Sequence, residues 1–351
     1  MGSMRFRTCA LWTGLLLGSA AWAQTAAAQS SQPQPQPSST QASPDQASPT
    51  QPSTSSPEPA PQLQRRLDEP PATETLHVFS REVDLLFAVT NRHGGFVTGL
   101  QPKDFGLLDD GRPPERVIRF EQQTNLPLRV GIMIDTSSSI RERFHYEQQA
   151  AVDFLLQVLH PADESFVEGF DVQTDIEQNY TNRVDLLNSA IERLRPGGGT
   201  ALFDSLYKTC RDQMLTLNQD VDVRKAIVLV SDGDDDYSRA TEDDAIKMCQ
   251  RASTIVYTIS TNTGPSRDKG DDTLRAISGA TGGQAFFPPT MPDVGEGFLS
   301  IEAELRSQYS LVYVPSDYKA NGAFRTIYLQ CLNPGYSVRV RKGYFAPRQQ
   351  Q

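Results

Sequence analysis

LRVGIMIDTSSSI, residues 128–140, decides the fold. An unbroken apolar run ends in one aspartate, Asp135, and then in Thr136 and three serines. A half-exposed strand alternates apolar and polar residues; a run without alternation suits a strand covered on both faces. The carboxylate and the alcohols would then sit at the strand's carboxyl end.

The sequence around this strand keeps the rhythm such a sheet needs. Residues 141–160 read as a helix, with Phe144, Val152, Leu155, Leu156 and Leu159 roughly on one side and Pro161 as its stop. SFVEGFD (165–171) reads as a strand and DIEQNY (175–180) as a short partner. Helices follow at 184–194 and 201–217, separated by the loop RPGGGT. KAIVLV (225–230) reads as another buried strand and ends at Ser231-Asp232-Gly233. A helix at 242–253, a strand at 254–260, a helix at 272–281, a short strand at 283–287 and a helix at 295–308 complete the set. Strands alternating with helices predict an α/β fold with a doubly wound, mostly parallel sheet and helices on both faces.

In such sheets ligands collect at the carboxyl ends of the strands, where strand order reverses. Three segments bring oxygen donors to that rim. They are Asp135, Ser137 and Ser139; Thr200, after Gly197-Gly198-Gly199; and Asp232. All are hard donors, suited to a hard divalent cation, and no His or Cys competes for zinc. Two carboxylates balance the charge. Neutral hydroxyls fill coordination positions without adding charge, which leaves the ion able to take a carboxylate from another molecule.

The pattern D-x-S-x-S at 135–139, then Thr200, then Asp232, resembles the metal-ion-dependent adhesion site of von Willebrand factor type A domains, over roughly residues 127–308. The resemblance implies Mg2+ or Mn2+ held by Asp135, Ser137, Ser139, Thr200 and Asp232. It also implies a protein partner that presents an Asp or Glu carboxylate. The flanks, FVTGLQPKDFGLLDDGRPP before and YSLVYVP, FRTIYLQ and VRVRKGYF after, resemble the exported von Willebrand A-related proteins of Acidobacteria.

These flanks read as β-strands without helices, at 76–125 and 309–348. Unpaired edge strands are a liability, so the two ends are expected to pair into one small β-sandwich beside the α/β domain. Asp110-Gly111 is a strong hairpin signal between the strands on either side of it. YSVRVRKGYF (336–345) reads as one strand.

Residues 1–23 read as a signal peptide: Arg5 and Arg7, a short apolar core, then Ala21-Trp22-Ala23. Residues 24–75 form a Pro/Gln/Ser-rich linker with too little apolar surface to offset its ordering entropy. No later segment of the sequence is apolar for long enough to cross a membrane. The protein is therefore expected to be exported: periplasmic, on the cell surface or secreted. A formal charge of −10 over 351 residues argues against nucleic acid as a partner. Cys210 and Cys249 lie on apolar stripes of helices expected on the same face of the sheet. They are either bonded or two buried thiols, and export favours the bond.

Catalysis has little support. There is no G-x-S-x-G, no H-E-x-x-H and no P-loop. Asp232, Asp234 and Asp236 imitate the start of an EF-hand loop, but its sixth position is Tyr237 and its twelfth Asp243. The expected function is a non-enzymatic, adhesion-type binding module. The alternative is a metal-free structural scaffold of the cell envelope.

Overall fold

A computed structural model describes residues 81–122, 126–141, 144–217, 223–262 and 269–348. The expected signal peptide and linker lie outside the described residues. Strand β1 is Val83–Asn91, β2 Phe105–Asp109 and β3 Arg116–Gln122. The central part runs β4 Leu128–Asp135, α1 Phe144–Val158, β5 Glu164–Phe170, β6 Thr174–Thr181, α2 Val184–Arg193 and α3 Leu202–Thr209. It continues with β7 Arg224–Ser231, α4 Glu242–Arg251, β8 Ile255–Ser260, α5 Lys269–Thr281, β9 Ala285–Phe286 and α6 Val294–Ser307. The last strands are β10 Tyr309–Val314, β11 Phe324–Cys331, β12 Tyr336–Val340 and β13 Gly343–Phe345.

The central sheet has the order β6-β5-β4-β7-β8-β9; β5 pairs with β6 antiparallel, and the other pairs are parallel. One apolar layer joins Val130, Ile132 and Ile134 to Phe154 and Leu155 of α1, Ile191 of α2 and Phe298 of α6. The other joins Met133, Ile227 and Leu229 to Leu206 of α3, Ala245 of α4 and Leu274 of α5. The unbroken apolar run therefore has its expected cause: β4 has helices on both faces. The chain passes from β4 to β5 on one side and reaches β7 on the other, so strand order reverses at β4.

The helix expected over 201–217 is not uniform. After α3 it passes into a π-helical turn, Cys210–Met214, closed by Leu215 N–H on the Cys210 carbonyl at 2.9 Å. Cys210 is bonded to Cys249 of α4, with Cα atoms 5.0 Å apart. Cys331 is half-buried and free.

Strands from the two ends of the chain pack together as two antiparallel sheets. One has the order β12-β1-β10-β3, the other β13-β11-β2. Leu85, Phe87, Tyr309, Leu311 and Tyr313 of the first sheet share a core with Ile327, Leu329 and Tyr344 of the second. Two expectations need correction here. Asp110 and Gly111 do turn the chain with φ of 49° and 76°, and Asp109 bridges Arg112. The flanking strands then part, β2 pairing with β11 and β3 with β10. Pro113 and Pro114 follow immediately. Neither has an N–H for a ladder, so the hairpin cannot extend. Likewise YSVRVRKGYF is not one strand. It breaks at Arg341-Lys342, and β12 joins β1 while β13 joins β11 in the other sheet.

Only Gln308 separates α6 from β10. Glu304 of α6, 1% exposed, pairs with Arg339 of β12 at 2.6 Å and accepts the Tyr257 hydroxyl at 3.2 Å. Arg224, also buried, donates to the carbonyls of Leu126 and Leu305. These contacts join the sandwich to the α/β part through the ends of α6, β4 and β7.

Candidate metal centre at the sheet rim

Asp135 is the last residue of β4 and is fully buried. Its Oδ1 accepts the Ser137 N–H at 2.8 Å, which folds the loop back over the strand end. Its Oδ2 accepts the Ser231 hydroxyl at 2.7 Å. Ser137 Oγ lies 2.9 Å from Ser139 Oγ, and Ser139 Oγ donates to Asp232 Oδ2 at 2.8 Å. A hydrogen-bonded chain thus runs from Asp135, through the Ser137 N–H and the hydroxyls of Ser137 and Ser139, to Asp232 just after β7. Of the five candidates, four meet directly in this chain.

Thr200 arrives by a different route. The Ser138 N–H and hydroxyl both donate to the Gly198 carbonyl, at 3.1 and 2.9 Å, and the Gly197 N–H donates to the Thr136 carbonyl at 2.6 Å. The Thr200 carbonyl accepts the N–H groups of Asp236 and Tyr237 at 3.0 and 3.1 Å. The glycine loop is therefore fastened between the two aspartate loops. Thr200 itself is 4% exposed. Gly198 has a φ of +82°, and a Cβ there would fall 2.6 Å from Asp171 Oδ2. Both facts require glycine. Gly198→Ala is expected to lower stability by about 1–2 kcal/mol, read by urea denaturation. A loss under a few tenths would mean the loop moves aside freely.

Two supporting residues lie outside the set of five candidates. Ser231 clamps Asp135 and also accepts the Gly233 N–H at 3.0 Å. Asn262 donates to the Asp232 carbonyl at 2.9 Å. Gly233, with φ +83°, lies so close to Gly270 that a Cβ on it would overlap the Gly270 carbonyl. The Asp232 loop is thus held by β8's end and α5's start. A hydroxyl beside the strand-end aspartate was the one hint available for Ser231; Asn262 and Gly270 are brought in only by the fold.

The electrostatics suit a cation. Burial pushes the Asp135 carboxyl from 3.8 up to about 6. The Ser137 and Ser231 hydrogen bonds pull it down, and the Asp232 charge adds a smaller push upward. A buried carboxylate held near a second one lacks positive charge. Among the described residues, no group of three or more His, Cys, Asp or Glu side chains could hold a metal. A cation here would rest on two carboxylates, with hydroxyls completing an all-oxygen set, which fits a small hard ion.

Residues 130–296 match the family model of the von Willebrand factor type A domain. The central α/β unit has the fold of a von Willebrand factor type A domain. Such domains are generally non-enzymatic interaction modules, often with a divalent metal at this rim. No curated protein matches the chain. Several solved structures are similar to it, among them the three that follow. The PilB minor pilin from Streptococcus sanguinis is 16% identical over 53% of this chain and 62% of its own, with a TM-score of 0.42. Proximal thread matrix protein 1 from the mussel byssus, with a zinc-occupied MIDAS motif, is 14% identical over 56% and 49%, at 0.45. A von Willebrand factor type A protein from Catenulispora acidiphila is 14% identical over 70% and 74%, at 0.43. This chain thus spans less than two thirds of the pilin and about half of the mussel protein. At such identities no ligand passes from them to this chain. No helix among the described residues is long and apolar enough to cross a membrane.

Proposed function

We propose that this protein is an exported, non-enzymatic binding module that holds Mg2+ or Mn2+ at the sheet rim and engages an Asp or Glu carboxylate of a partner protein. One observation carries the reading: the hydrogen-bonded chain Asp135, Ser137, Ser139, Asp232 at the point where strand order reverses. Asp135 and Asp232 would supply the charge, and Ser137, Ser139 and Thr200 the neutral oxygens. The metal's part is to act as a positive centre for an incoming carboxylate. Ser231 and Asn262 keep the two aspartate loops in register, and the glycine loop keeps Thr200 at the rim. The export signal at 1–23 and the resemblance of the flanks to exported Acidobacterial proteins support a place outside the cytoplasm.

Calorimetric titration of the protein with MnCl2 and MgCl2, with and without millimolar acetate, tests the metal. Saturable binding that Asp232→Ala lacks is the expected result. A wild type that ignores both ions even with acetate would sink the reading. Capture from cell-envelope extract then tests the partner. Retention is expected to fall with EDTA and return with Mg2+. Capture indifferent to chelation would instead favour the metal-free scaffold.

A further inference from the structure

At the opposite end of the central sheet, where β7 and β8 begin, a cavity of about 250 Å3 lies between the α/β domain and the sandwich. We propose that it is a binding pocket for a small organic carboxylate with an apolar body. The proposal is independent of the metal centre.

Three cationic side chains line the cavity: Lys225 of β7, Arg251 of α4, and Arg341 between β12 and β13. The Arg341 guanidinium spends its described hydrogen bonds on neutral oxygens, the Asp84 carbonyl at 2.7 Å and Ser253 Oγ at 3.2 Å. Its Nε is buried and has no hydrogen-bond partner. Lys225 Nζ donates to the Met214 carbonyl at 3.0 Å. Burial lowers the pKa of both groups, the mark of cations removed from water without enough compensation. Two acids also line the cavity, Glu82 just before β1 and Asp84 on it, both exposed; the Asp84 carboxylate accepts the Ser310 hydroxyl at 2.8 Å.

Gln250, Thr254 and Thr281 add polar groups, and the remainder of the wall is largely apolar. Ile255 and Phe345 contribute, and the Arg251 guanidinium is stacked 3.8 Å over the Phe345 ring. A second observation marks the same spot. Ser253 follows α4 with a φ of +52°, a left-handed position that glycine usually fills. The strain is carried by a residue whose hydroxyl meets Arg341 at the cavity wall. Strained backbone of this kind persists where the surrounding structure over-determines it, and it clusters at ligand sites. A planar carboxylate matches a guanidinium, and an apolar body matches the wall. Inorganic phosphate would satisfy the cations but leave the apolar wall unfilled.

The probe is benzoate, titrated into the full chain in EDTA and followed by calorimetry, beside its neutral counterpart benzyl alcohol and inorganic phosphate. Benzoate is expected to bind saturably and the other two at least tenfold more weakly. Arg341→Gln and Lys225→Met are each expected to weaken benzoate about tenfold or more, as loss of one charge-assisted hydrogen bond would. Thermal unfolding checks each variant's fold, and Lys225→Met serves if Arg341→Gln does not fold. Absence of saturable benzoate binding would overturn the proposal. So would equal binding of benzyl alcohol, tighter binding of phosphate, or benzoate binding that a folded variant leaves unchanged.

Discussion

Asp135→Asn is expected to abolish metal binding and yet to make the metal-free protein more stable at pH 7.5. The sign follows from the raised carboxyl. Its folded value is about 6 and the ordinary value for the group is 3.8. Between these the folded state holds the extra proton, so stability is full below about 4 and is lost as pH rises through 6. A shift of roughly two units corresponds to about 3 kcal/mol at neutral pH. Asparagine stays neutral at every pH and escapes that loss. Its Oδ1 can keep the Ser137 N–H, and its amide can donate to the Ser231 hydroxyl, so the local bonds survive. Scanning calorimetry in EDTA should show wild type and variant together near pH 4 and the variant melting several degrees higher at pH 7.5. With Mg2+ the wild type should recover most of the gap, and the variant should not respond. A variant less stable than wild type at both pH values would mean that Asp135 is a comfortable, ionised group and no cation is called for.

Asp109→Ala is expected to cost about 3–5 kcal/mol, the usual penalty for removing one partner of a buried ion pair. Asp109 is 1% exposed and accepts from four atoms. Its Oδ2 takes the hydroxyls of Tyr313 and Tyr344, at 2.7 and 2.9 Å. Its Oδ1 takes Arg325 Nε at 2.7 Å and lies 2.6 Å from Nη2 of the same guanidinium. One carboxylate thereby ties β2, β11 and β13 of one sheet to β10 of the other. Removal leaves two buried hydroxyls and a guanidinium 5% exposed without their acceptor, although Asp317 still holds Arg325 at 2.8 Å. Asp109→Asn keeps an acceptor and should cost less. Urea unfolding of both variants distinguishes this from a cluster of little consequence, for which Asp109→Ala would lose under 1 kcal/mol.

The α/β core was legible in the sequence because its signals are local. A short, nearly continuous apolar run such as LRVGIMI suits a strand covered on both faces, and the helical stripes between such runs mark the alternation of a doubly wound sheet. The positions of Asp135 and Asp232 follow from the same argument, since each ends or directly follows a buried strand. The flanks were legible as strands, and their pairing followed from the need to cover edges. What pairs with what was not. Asp110-Gly111 turns the chain as its residues demand, yet Pro113-Pro114 sends β3 to another sheet. Residues 336–345 read as one strand, yet the chain changes sheets at Arg341-Lys342.

By itself, then, the sequence determined the doubly wound domain, the order of its elements and the oxygen-rich rim, because periodicity and strand ends are properties of neighbouring residues. The tertiary structure alone decided the rest. It closed Cys210 onto Cys249, set Ser231 against Asp135, and gathered residues 109, 313, 325 and 344 around one buried carboxylate. It also opened a cationic pocket between Lys225 and Arg341. Those contacts join residues up to 235 positions apart, and no local pattern records them, because they depend on how whole layers stack rather than on what each segment prefers.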